Sequence, residues 1–160
     1  MIQYTHRFCN RQPEVFSLIR VRSLTKWYGN KPALDGVDFS IEEGCVAGLL
    51  GLNGAGKSTI MNILAGCISA TSGAITIGGH DIAARPKQAK RLIGYLPEQP
   101  AFYPEMKVLD HLAFICNLKG ISAGRMGHIE EICRLTGLFD VRSRMIRNLS
   151  KGYRQRLGFA

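Results

Sequence analysis

Gly51-Leu52-Asn53-Gly54-Ala55-Gly56-Lys57-Ser58 fills every fixed position of the pattern G-x-x-x-x-G-K-[S/T]. The apolar run before it, residues 45–50, carries no charge, as a strand buried on both faces of a parallel sheet would. After it, Ile60, Met61, Ile63 and Leu64 recur at helical spacing. Strand, glycine loop and helix thus come in the order that lets successive backbone N–H groups converge on an anion at a helix N-terminus. Lys57 is placed to reach the outer phosphates of a nucleotide, and the Ser58 hydroxyl to ligate Mg²⁺.

The 160 residues have the size of one domain, and 46% hydrophobic content with 18 Gly is ordinary for a globular chain. The longest apolar run, residues 45–52, is far short of the ~20 residues that cross a bilayer. The five cysteines are scattered without a C-x-x-C pair, which argues against a disulfide framework and against zinc; they read as buried thiols of a reducing cytoplasm. The four histidines show no metal-ligand spacing, so surface or structural roles are the default. Net charge is +9, concentrated in the first 31 residues and in residues 142–156. No aromatic interleaving or finger spacing supports nucleic acid, and the basic ends read as solvated faces.

Residues 1–16 have no apolar core of signal-peptide length and read as a flexible N-terminal extension ahead of a domain over residues 17–160. Leu18, Val21 and Leu24 suggest a strand, and Val37, Phe39 and Ile41 alternate with polar residues as a second, antiparallel to the first. Between them Tyr28 precedes a Gly-Asn turn; its ring either stacks on a base or covers the sheet edge. Residues 74–79 form a short strand, Pro86 opens a basic helix, residues 92–96 return as a strand, and residues 97–100 make a loop. Two amphipathic helices follow, one through Leu109, Leu112, Ala113 and Cys116, the other through Ile129, Ile132, Cys133 and Thr136. Ser150 caps a last helix; a plain surface helix is one reading of residues 149–156, and a second anion site the other.

The phosphate loop, Tyr28, the Tyr95-Leu96-Pro97-Glu98 turn and residues 149–156 together resemble the nucleotide-binding domain of ABC transporters, over about residues 17–160. The wording is closest to ATP-binding subunits of ABC-2 type exporters. The resemblance implies an α/β P-loop NTPase fold: a mainly parallel sheet, an antiparallel β edge on its N-terminal side, and a helical insertion near residues 105–148. It implies ATP and Mg²⁺, held by Tyr28, Gly51, Asn53, Gly54, Ala55, Gly56, Lys57, Ser58 and Thr59, with Ser58 and Glu98 on the metal side. Ser150, Lys151, Gly152, Tyr153 and Gln155 would form the signature loop, facing nucleotide bound to a second such domain in a head-to-tail dimer. The implied partner is a transmembrane permease subunit, and the implied place is the cytoplasmic, inner face of the membrane.

Three departures qualify the resemblance. Lys151 and Tyr153 stand where the usual signature has Gly and Gln. The Q-loop position falls on Glu98, with Gln99 one residue late. The family's Asp-Glu strand and switch histidine, which would follow the signature helix, are not among the 160 residues. The resemblance therefore implies ATP binding, leaves independent hydrolysis uncertain, and predicts a sheet with an unpaired central edge prone to association. A small P-loop kinase, a soluble ABC protein acting on ribosomes or nucleic acid, and an inert truncated fragment are the rival readings.

Overall fold

The computed structural model describes the backbone of residues 3–5 and the whole of residues 17–160. In chain order the elements are β1 (Gln3–Thr5), β2 (Ser17–Tyr28), β3 (Lys31–Glu42), β4 (Gly48–Leu50), α1 (Lys57–Leu64), β5 (Ser72–Ile77), β6 (His80–Asp81), α2 (Pro86–Arg91), α3 (Val108–Leu118), α4 (Arg125–Leu135) and α5 (Lys151–Phe159). Two 3-10 turns, Phe139–Val141 and Ile146–Asn148, lead into α5. The chain divides into two compact units, one through Tyr95 and the other from Leu96 to Ala160. Apart from β1, the expected extension over residues 1–16 lies outside the described residues.

In the first unit, β2 and β3 form a long hairpin turned at Gly29 and Asn30, with Tyr28 paired to Lys31. Val37 and Phe39 turn toward the core and Asp38 and Ser40 toward water, the period-two pattern of a half-buried strand. The ladder is broken between Val21 and Leu24, where Ser23 takes a left-handed φ of 47° and its N–H donates to Asp38 Oδ1 at 2.9 Å. β5 pairs with the other edge of β2, and the glycine turn after it folds back as β6. Val21, Leu24, Ile75 and Ile77 of this sheet meet Ile60 and Ile63 of α1 in one apolar core.

Three expectations about strands need correction. The ladders among the described residues are all antiparallel, so the antiparallel edge is present while parallel pairing is not seen. Residues 45–50 are not buried on both faces: Val46 is 84% exposed, and β4 keeps only three residues, paired with β1. Residues 92–96 form no ladder, although Ile93 still packs on the core. The cause is common to all three. An apolar run states that a segment seeks burial; which strand hydrogen-bonds to it is a non-local matter that periodicity does not carry.

The second unit is helical, as the insertion near residues 105–148 requires. Val108, Leu112 and Cys116 of α3 face Ile129 and Cys133 of α4, and Leu138, Val141, Ile146, Leu149 and Leu157 complete the core. The segment before α3 is fastened to the one before α5: Lys107 bridges Met145, Ile146 N–H donates to Met106 O at 2.9 Å, and Arg147 pairs with Glu105 at 2.8 Å. Cysteine usage differs from expectation too. Cys116 and Cys133 are buried free thiols, but Cys67 is exposed and Cys45 is disulfide-bonded.

Candidate functional site

β4 delivers the chain to Gly51, and the loop then curls so that Ala55 N–H donates to Leu52 O at 3.1 Å. Gly54 and Gly56 take φ of 83° and 89°, a region that costs an L side chain steric strain. Gly56 has a second reason to be glycine. A Cβ there would lie 2.5 Å from Ala33 O and 2.6 Å from Leu34 Cδ2, so the bare backbone lets the loop seat on β3.

Gly56 caps α1 without any side-chain hydrogen bond, and the first helical bond runs from Ile60 N–H to Gly56 O at 2.9 Å. The N–H groups of the preceding residues therefore have no helical acceptor, and no acidic residue occupies the first turn. The Lys57 ammonium curls back over the loop, donating to Gly51 O and Leu52 O, both at 2.7 Å. Amides without a helical acceptor, a positive helix end and a lysine on the rim thus lie together in residues 51–58, the features on which anion binding at a helix N-terminus depends. Asn53 and Ser58 are exposed, and Ala55 and Thr59 half-buried, around the same turn.

Tyr28 stands nearby along β3: its pair is Lys31, and Ala33 and Leu34, two and three residues on, abut Gly56. At a strand rise of ~3.4 Å per residue, that is on the order of 7 to 10 Å. The ring is 53% exposed, with the Lys26 ammonium 5.2 Å from its centroid. Lys26 is itself anchored on Ser69 O at 2.8 Å, and Trp27 N–H on Thr71 Oγ1 at 3.0 Å. These anchors were not legible in the sequence, since they join the hairpin to the loop after α1. Nor was the bond from Tyr95 Oη to Asn62 Oδ1, 2.8 Å, which ties α1 to the end of the first unit.

In the second unit, Ser150 caps α5, its Oγ accepting from Tyr153 N–H at 3.4 Å. Lys151, Gly152 and Gln155 are exposed, while Leu149 and Leu157 hold the helix in the core. Arg156 lies over the Tyr153 ring, 5.4 Å from its centroid. Glu98 and Gln99 are exposed in the loop between Leu96 and α3. Among the described residues no cluster of His, Cys, Asp or Glu is able to hold a metal ion by itself. A cation at this site would depend on Ser58 together with phosphate oxygens, the donor set suited to Mg²⁺. No helix among the described residues is long and apolar enough to cross a membrane.

This loop and helix, on this hairpin, are those of an ATP-binding cassette. The sequence profile of the ABC transporter family matches residues 34–160, and the chain belongs to that family. It is 34% identical over 144 residues to the bacitracin transport ATP-binding protein BcrA of Bacillus licheniformis, covering 90% of this chain and 46% of that protein. It is 35% identical over 143 residues to the lantibiotic transport ATP-binding protein SrtF of Streptococcus pyogenes, covering 89% of this chain and 60% of the relative. A solved ATP-binding subunit of an ABC transporter superposes with a TM-score of 0.73 at 29% identity, over 89% of this chain and 60% of that one. The chain thus spans about half the length of the curated relatives it matches.

Proposed function

We propose that the chain is the ATP-binding part of an ABC exporter ATPase, working through a separate membrane subunit. The observation that carries this reading is the receptor at residues 51–58: Lys57 folded onto two carbonyls beside unmet helix amides, in a chain of this family. Lys57 exchanges the Gly51 and Leu52 carbonyls for phosphate oxygens, and the loop amides meet the same charge. Tyr28 stacks on the adenine, a flat ligand that its exposed ring accepts with little loss of entropy. Ser58 holds Mg²⁺, which when bound neutralises charge on the phosphates.

Ser150, Lys151 and Gly152 present the N-terminus of α5 to nucleotide held by a second copy of the domain, and Glu98 stands at the turn that reports it. Gly152 and Lys151 offer backbone amides there, and Lys151 adds a cation. The permease contacts the loop after Glu98 at the inner face of the membrane. Resemblance to bacitracin and lantibiotic transport proteins points to an amphiphilic antimicrobial peptide as the exported class.

Trp27, the one tryptophan in the chain, adjoins Tyr28 and reports on binding. Titration with Mg-ATP is expected to change its emission saturably, and ATP without Tyr28, as Tyr28→Ala, to bind about 5- to 100-fold more weakly, the worth of one base–aromatic stack. No saturable response and no retention of a fluorescent ATP analogue would overturn the reading.

A further inference from the structure

We propose that Gly158 is a positioning residue: its missing side chain lets α5 seat the turn that carries Glu98, so that the signature helix sets where Glu98 stands. A Cβ at Gly158 would fall 2.6 Å from Leu96 Cδ1 and 3.2 Å from Pro100 Cγ. These two residues flank Glu98 symmetrically, two before it and two after, and both are half-buried while Glu98 and Gln99 are exposed. The turn is therefore gripped at its two feet by one backbone position of α5 and leaves its carboxylate free. Leu96 is able to rotate away from an added methyl, but the Pro100 ring is fixed to its own backbone, so a larger side chain must push the turn itself.

Helix propensity argues in the opposite direction. Gly is a poorer helix former than Ala, so α5 alone would be steadier with a side chain here. Ser150, the cap of α5, and Gly158 lie on one nine-residue helix with its cap, buried at Leu157. A displacement of that helix at its N-terminus is thereby passed to residues 96–100 within the same compact unit. The functional meaning of Glu98 rests on the proposed function; the steric linkage does not.

The test uses Ala101→Cys, exposed one residue beyond Pro100, with maleimide labelling followed at that peptide. Gly158→Val is expected to raise the labelling rate at least about threefold, with Gly158→Ala smaller in effect, and Pro100→Ala combined with Gly158→Val to restore the original rate. In the assembled ATPase, Gly158→Val is expected to lower kcat about fivefold or more with KM for ATP within about twofold, again restored by the paired change. An unchanged labelling rate in Gly158→Val overturns the proposal. So does a raised rate that Pro100→Ala fails to reverse, because the cause is then loss of α5 and not the contact. Should Gly158→Val not fold, the same two criteria are applied to Gly158→Ala. Absence of ATP binding in every variant overturns the proposed function alone, since labelling needs no nucleotide.

Discussion

His111 is the most buried polar side chain of the helical unit, 5% exposed, with its Nδ1 lacking any hydrogen-bond partner. Its ring meets Phe102 edge-on at 5.6 Å and Tyr103 at 6.2 Å, and burial holds its pKa below the ordinary value of 6.5. The fold therefore prefers the neutral imidazole. Well above pH 6.5 neither state binds the proton and no stability is lost; as pH falls toward and through that value the unfolded chain takes up the proton first. Melting temperature is expected to drop between about pH 7.5 and pH 5.5 through this group, and to drop less in His111→Phe. An equal pH dependence in both proteins would contradict the assignment. Gly56 makes a different residue-scale case. Gly56→Ala adds a methyl against the Ala33 carbonyl at a φ of 89°, and is expected to lower both stability, by more than ~1 kcal/mol, and ATP affinity. Thermal melting and nucleotide titration read the two effects separately.

At the scale of elements, α5 depends on Ser150, whose Oγ accepts from Tyr153 N–H at 3.4 Å. Ser150→Ala is expected to cost ~1 kcal/mol of stability in this unit, whereas Ser150→Gly costs only a few tenths. Denaturant unfolding of the two variants distinguishes a cap from an inert surface serine. β4 carries the opposite sign, because Val46 and Leu52 are 84% and 83% exposed beside its short ladder. Such apolar surface promotes association, so light scattering at rising concentration is expected to fall in Val46→Lys.

What was legible in the chain follows from how local each signal is. The glycine loop, the hairpin alternation of Val37 and Phe39, and the helical spacing in α3 and α4 are short-range, and each forms where its pattern stands. The pairing of β4, the missing ladder at residues 92–96 and the small β6 depend on partners distant in sequence, and no period encodes them. The same divide holds within the site. Residues 51–58 announce themselves, while the grip of Gly158 on Leu96 and Pro100 exists only once α5 is folded against the turn.

For the whole molecule, the first unit holds the glycine loop with Lys57 and Tyr28, and the second holds the α5 cap and the Glu98 turn. Each unit has its own apolar core. Cysteine reactivity offers a check on both. Cys67 of the first unit is exposed, whereas Cys133 of the second is buried, with its thiol pKa pushed up by that burial and only partly offset by Arg142. Of these two, Cys67 alone is expected to react with maleimide in the native protein.

The central claim is that residues 51–58 receive the phosphates of a nucleotide through Lys57. Calorimetric titration of Mg-ATP into the native chain and into Lys57→Ala tests it most directly. Losing charge-assisted bonds worth ~1.5 to 3 kcal/mol is expected to weaken binding by about 10- to 100-fold, with thermal stability little changed. Equal affinity in the two proteins would contradict the account.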